Sequence, residues 1–187
     1  MRKRGVVEFV YSTYDMENIL INNNNLKDEE ITDFTTKVKL LLINSKNELL
    51  LGYANNEYQF PGGTQEDGES LMDTLKRELM EETGMELNVS LLEPFIKFTG
   101  YYKDWPQLGR NKKVDIYYYK VKTNEKPNFS RMHLTECEKE NNFELRYVSL
   151  DDVETVLEMN MLEYGDPHGI AREMLELLKK YKNLLRK

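Results

Sequence analysis

Glu78, Glu81 and Glu82 are the side chains of this sequence best placed to do chemistry together. At the helical advance of 100° per residue they fall within an arc of roughly 100° on one side of a helix. Leu71, Leu75 and Leu79 form an adjoining apolar stripe at i, i+4 spacing, so the carboxylates border the buried face and do not stand opposite it. Like charges this close repel one another, and a divalent cation is the least costly way to neutralise them. On an arbitrary helix the plainer reading would be a solvated acidic face. The Pro61-Gly62-Gly63 turn ahead of the helix weighs against that here, together with the spacing match over the whole stretch given below.

The glutamates need a helix to hold them, and residues 70–83 read as that helix, with Gly84 placed as its C-terminal cap. Ahead of it, residues 57–63 read as a short strand running into a turn. Pro61 fixes φ there, and the glycines allow conformations closed to other residues, which brings backbone close to a ligand or metal. Residues 38–43 and 48–53 are apolar runs around Asn44-Ser45-Lys46-Asn47 and predict a hairpin. Past the helix, residues 87–92 and 94–101 read as strands, 103–111 as a loop, and 114–121, with Tyr117-Tyr118-Tyr119, as a central strand. Residues 135–142 read as an acidic loop, 143–148 as a final strand and 151–159 as a short helix. Asp166-Pro167 suits the start of a last helix through Leu184, whose Ile170, Met174, Leu177, Leu178 and Tyr181 repeat at helical spacing. This alternation predicts a mixed sheet covered on both faces. Residues 6–14 are β-branched and aromatic and predict a strand within an N-terminal extension, residues 1–35, packed on a domain of residues 36–187. The extension is expected to add or cover a sheet edge; the alternatives are a lid over the site or an exchange between subunits.

From Gly63 to Met85 the chain resembles the signature of the Nudix hydrolase family: Gly, five residues, Glu, seven residues, then Arg-Glu-apolar-x-Glu-Glu-x-Gly-apolar. Gly63, Glu69, Arg77, Glu78, Leu79, Glu81, Glu82, Gly84 and Met85 meet every fixed position. A chance match at a given start is on the order of one in a billion at ordinary residue usage. The resemblance implies an α/β (α+β) fold, the Nudix-type α/β/α sandwich with a mixed sheet. It also implies hydrolysis of a pyrophosphate bond in a nucleoside diphosphate linked to another moiety, with Mg²⁺ or Mn²⁺ as cofactor. Glu81 and Glu82 are the expected principal metal ligands, the Gly62 carbonyl is expected to help by similarity, and Glu78 is either a ligand or the base that deprotonates water. Arg77 looks like the residue that orients a glutamate, and Glu69 is assigned a structural role at the head of the helix. Many relatives add a carboxylate from a loop before a late strand. Glu140 is the first candidate for it and Glu138 the second, against the plainer reading of a solvated acidic loop.

Substrate contacts are expected from Tyr58, whose ring precedes the turn and could stack on a base, and from Arg110, in a basic cluster with Lys112 and Lys113 that could grip phosphates. Phe60 and Trp105 are further candidates. Core packing and solvated loop charges are the plainer readings. His133 and His168 have no partner at ligand spacing, and His168 falls in the first turn of the last helix.

With 187 residues, 32% charged and 40% hydrophobic, the chain has the make-up of an ordinary globular domain with a sizeable core. A net charge of −7 argues against general binding to nucleic acid or an anionic membrane, which needs basic stripes. It also makes a metal more necessary for a polyphosphate substrate. Lone Cys137 excludes an intramolecular disulfide and suggests a reducing, cytoplasmic setting. The expected partner is a small nucleotide-type molecule; a homodimer stays open. One rival is a non-catalytic module on the same fold that senses nucleotide metabolites, but such relatives usually lose signature glutamates. Another is an isomerase, which needs an extra acid such as a reactive cysteine; Cys137, in a polar loop, is a poor one. Removal of pyrophosphate from RNA ends is disfavoured by the acidic balance. The choice of substrate rests with loops outside the signature.

Overall fold

A computed structural model describes residues 16–186. In chain order its strands are β1 (Glu17–Ile21), β2 (Asp33–Ile43), β3 (Glu48–Ala54), β4 (Glu57–Gln59), β5 (Ile96–Tyr102), β6 (Lys112–Lys122) and β7 (Glu144–Ser149). The helices are α1 (Leu71–Thr83), α2 (Glu136–Glu140), α3 (Val153–Tyr164) and α4 (Ile170–Arg186). The strands form one mixed sheet in the order β1-β5-β6-β2-β3-β4, with β7 also paired to β3.

The apolar run in β2 explains the layering. Successive strand residues point to opposite faces, so a continuous run feeds two cores. Val38, Leu40 and Leu42 pack with Leu75 and Leu79 of α1, whereas Leu41 and Ile43 pack with Val153 and Leu157 of α3 and Met174 and Leu178 of α4. Burying each such side chain contributes about 1.5–3 kcal/mol, which anchors α1 along its leucine stripe and leaves its glutamates at the rim. β6 lies parallel to β2 and antiparallel to β5, the central place its tyrosine-rich sequence predicts. β3 and β4 turn tightly through Asn55 and Asn56, both at positive φ (47° and 63°), as a two-residue hairpin loop requires.

Four local expectations change. Residues 87–92 form no strand, although Leu87 and Val89 are buried on the α1 side. Both edges of β5 are taken, by β1 and β6, and both edges of β6, by β5 and β2, so these strands have no free edge to offer. Residues 135–142 contain α2, started by a Thr135/Glu138 capping box that outweighs the acidic composition. β2 begins at Asp33, so a boundary at residue 35 falls inside a strand. α4 starts at Ile170, three residues after Pro167, which leaves His168 ahead of the helix, where its Nδ1 lies 2.6 Å from Glu57. The strand expected over residues 6–14 lies outside the described residues; β1, just after it, pairs in parallel with β5.

Candidate active site

The backbone after β4 changes neighbours. It leaves β3 and runs beside β2: Leu40 donates to the Pro61 carbonyl (2.8 Å), Val38 to Gly63 (3.0 Å), and Gln65 to Thr36 (2.9 Å). This lays Gly62 and Gly63 against α1. The Gly62 N–H donates to Glu82 Oε2 at 2.6 Å. Gly62 has φ 126°, and a Cβ there would strike the Val38 carbonyl. A Cβ on Gly63 would overlap the Glu78 carboxylate. Both glycines are therefore needed for the approach.

The ends of α1 are fastened. Ser70 Oγ accepts from Asp73 N–H (3.2 Å), and Asp73 Oδ2 accepts from Ser70 N–H (3.2 Å). Gly84 sits at φ 64° and donates to the Met80 carbonyl at 2.8 Å. Between these ends Glu78 and Glu82 are 8% and 3% exposed, and Glu81 is half-buried.

Arg77 organises the carboxylates. Its Nε and Nη2 grip Glu69 at 2.8 and 3.0 Å. Its Nη1 reaches Glu78 Oε1 (2.8 Å) and Glu81 Oε2 (3.0 Å), and Nη2 also donates to the Thr64 carbonyl at 3.0 Å. Those bonds hold the Glu69 carboxyl down at about 2 and push the Arg77 guanidinium up. Burial raises Glu78 despite Arg77. Burial also pushes Glu82 up to about 8, with the positive charge of Lys39 opposing the shift. Lys39, which the sequence places within the apolar run of residues 38–43, also belongs to the site. Its Nζ donates to the carbonyls of Gly62 (2.7 Å) and Phe60 (2.9 Å). A lysine inside an apolar strand run is the one local signal that could have marked it.

Carboxylates and a backbone carbonyl are hard oxygen donors, the type that suits Mg²⁺ or Mn²⁺. Glycine at 63 gives the loop its close approach to Glu78, and the residues present fit such an ion in chemistry. Among the described residues no three acidic, imidazole or thiolate groups already stand together as a ready-made cage; Glu78 and Glu81 are turned to Arg77, and Glu82 to Gly62.

The remaining candidates are spread out. Glu140 lines a cleft of about 320 Å³ with Tyr53, Asn55, Asn56 and Glu144. Glu138, its neighbour in α2, is close enough for its charge to raise Glu82, while its Oε2 caps Thr135 N–H at 2.6 Å. Tyr58 packs on Tyr53 with ring centroids 4.7 Å apart, and its hydroxyl accepts from Arg146 at 3.0 Å. The Arg146 guanidinium lies 3.5 Å from the Tyr53 ring centre, and this cluster opens onto a groove of about 460 Å³ against α3. Arg146 was not anticipated, since nothing local distinguishes an arginine in an edge strand. Arg110 forms a forked ion pair with Asp33, its Nε at 2.7 Å. Trp105 is nearly half exposed, with Lys112 Nζ 4.9 Å from its ring centre. Phe60 is a core residue in edge contact with Tyr118.

The family model described as the NUDIX domain matches residues 31–167. Nucleoside diphosphate-linked moiety X motif 6 of Mus musculus is 39% identical over 56 residues, 30% of this chain; the match spans only 16% of that protein. Among solved structures, the MutT protein from Methanosarcina mazei Go1 superposes with a TM-score of 0.53 at 19% identity, over 83% of this chain and 97% of its own. That likeness concerns the fold.

Proposed function

Because the chain belongs to the Nudix family of pyrophosphohydrolases, we propose that it cleaves a pyrophosphate bond in a nucleoside diphosphate linked to a second moiety, with a divalent cation bound at α1. The observation that carries this reading is the junction of Gly62, Gly63, Glu78 and Glu82, where a glycine turn is pressed onto two buried carboxylates. Buried carboxylates are costly for stability alone and are typical of sites whose charge is met by a ligand.

Glu81, Glu82, Glu78 and the Gly62 carbonyl would hold Mg²⁺ or Mn²⁺. The ion would supply charge neutralisation on phosphate oxygens and a more acidic water. Arg77 keeps Glu78 and Glu81 on one side of α1, so the carboxylates meet the substrate in a fixed arrangement. Glu78, raised by burial, is suited to take a proton from water if it is not itself a ligand. For a further carboxylate the support favours Glu138 over Glu140, because the Glu138 charge acts on Glu82. Tyr58 and Arg110 remain substrate contacts by position only. Tyr58 offers an aromatic surface on the groove against α3, and Arg110 would have to release Asp33.

Small nucleotide-type substrates fit an acidic chain better than nucleic acid does. No helix among the described residues is long and apolar enough to cross a membrane, and free, exposed Cys137 is consistent with the cytoplasm. The family match begins at residue 31, which supports a separate N-terminal extension that completes the sheet edge through β1.

A phosphate-release screen over nucleoside triphosphates, nucleotide sugars, dinucleotides and capped RNA ends, with Mg²⁺ and Mn²⁺, tests this. Glu81→Gln and Glu82→Gln are expected to lower kcat by about a hundredfold or more on any substrate turned over. Full metal-dependent activity in both variants would overturn the assignment.

A further inference from the structure

Lys39 is the charged residue within the apolar run of residues 38–43 of β2, on the same side of the sheet as Leu41 and Ile43. Its ammonium is fixed by two main-chain oxygens, Gly62 at 2.7 Å and Phe60 at 2.9 Å. The flanking residues of the same loop are held by the β2 backbone through Leu40 to Pro61 and Val38 to Gly63. The Gly62 carbonyl thus points at a cation already, while its N–H is bonded to Glu82. Charged groups near the ammonium include Glu82 and Glu173, both of which feel its charge, and Lys37, on the same face of β2.

We propose that Lys39 is an internal counter-cation of the metal site: it occupies the Gly62 carbonyl when no divalent ion is bound and is displaced from it when one binds. The inference rests on the reading of that carbonyl as a metal ligand. A hard divalent ion binds oxygen at about 2.0–2.1 Å if it is Mg²⁺. With an ammonium at 2.7 Å from the same oxygen, two cations would stand within about 5 Å of each other in a partly buried site, and their repulsion forces one of them off. Binding is therefore an exchange of cations. Before the exchange, the ammonium keeps the glycine turn in the shape the ion will use.

The test compares wild type with K39M, K37M and E82Q. Mn²⁺ affinity is read from the free-ion electron paramagnetic resonance signal at fixed ionic strength, and thermal unfolding is followed in chelator and in saturating Mn²⁺. K39M is expected to bind Mn²⁺ about tenfold tighter than wild type, because a charge-assisted bond no longer has to break. K37M, which removes a charge of the same sign on the same face, is expected to change affinity by less than about threefold. In chelator K39M melts below wild type, and Mn²⁺ raises its Tm by more. Unchanged or weaker Mn²⁺ binding by K39M overturns the inference, and so does equal tightening in K37M, which would mean general repulsion and no exchange. If K39M does not fold without metal, K39Q, which keeps a neutral donor for the carbonyls, is put through the same comparison with the same expectation. Wild-type Mn²⁺ binding no tighter than that of E82Q would instead overturn the metal-site reading itself.

Discussion

Arg77 divides its donors among Glu69, Glu78, Glu81 and the Thr64 carbonyl. A lysine could not do this, because only the planar guanidinium grips one carboxylate with two nitrogens and still reaches two others. The spacing of Glu69, eight residues ahead of Arg77, is what lets the loop before α1 be tied to the helix surface. Alongside this arrangement, α2 offers two carboxylates with different surroundings. The Glu138 charge adds weakly to the rise of Glu82, after burial and nearer groups, and Glu140 lines the cleft beside Tyr53. Glu138→Gln is expected to lower kcat by about tenfold or more at saturating Mg²⁺, whereas Glu140→Gln stays within about twofold. Glutamine retains a side-chain oxygen for the Thr135 cap, so α2 is preserved. Steady-state rates of the two variants on one accepted substrate decide it, and a larger loss in Glu140→Gln reverses the order.

At the scale of elements, α1 was readable because its signals are local: a leucine stripe and a terminal Gly84 lie within one stretch. The inclusion of residues 87–92 among the strands failed for the opposite reason. Alternating burial is visible in sequence, but a strand also needs a neighbour with a free edge, and that depends on residues far along the chain. Lys39 and Arg146 escaped notice because their partners, Gly62 and Tyr58, come together only through β-pairing. The contact between α4 and β6 is of the same kind. Glu173 of α4 accepts a hydrogen bond from the Tyr118 hydroxyl of β6, with Tyr102, Asp166, Lys37 and Lys39 around the pair. Burial raises the Glu173 carboxyl, against the Tyr118 bond and the two lysine charges. The folded protein thus holds this proton more tightly than the unfolded chain does. Its contribution to stability is fully present below the ordinary carboxyl range and is lost as pH rises through the raised value. Glu173→Gln should therefore lose less stability than wild type between pH 4 and pH 8, by up to about 1.4 kcal/mol for each unit of the shift. Urea unfolding in chelator at both pH values measures this; parallel slopes for the two proteins would refute it.

For the whole molecule, one sheet with helices on both faces divides the work. The α1 face carries the signature glutamates. The groove beside Tyr58, the cleft beside Glu140 and the loop around Trp105 lie outside the signature. Fold class and reaction class were accordingly legible from a short, strict motif and a chain-wide alternation of strands and helices. The positions of Tyr58, Arg110 and Glu140 relative to the glutamates were not, because loop placement follows from packing and has no fixed spacing in sequence. Among the described residues the sheet has a margin at β1, which lies parallel to β5. β1 is short, and Leu20 is mostly exposed on it. Without that strand, the N–H and C=O groups of Ile96–Tyr102 on that side would face solvent along a β-rich, uncharged-centred segment, a template for pairing with other chains. A protein starting at Asn22 is therefore expected to self-associate in a concentration-dependent way at temperatures where the full chain stays clear. Light scattering during slow heating compares the two, and equal onset would show that the strand guards nothing. On this view β1 acts as a gatekeeper against aggregation.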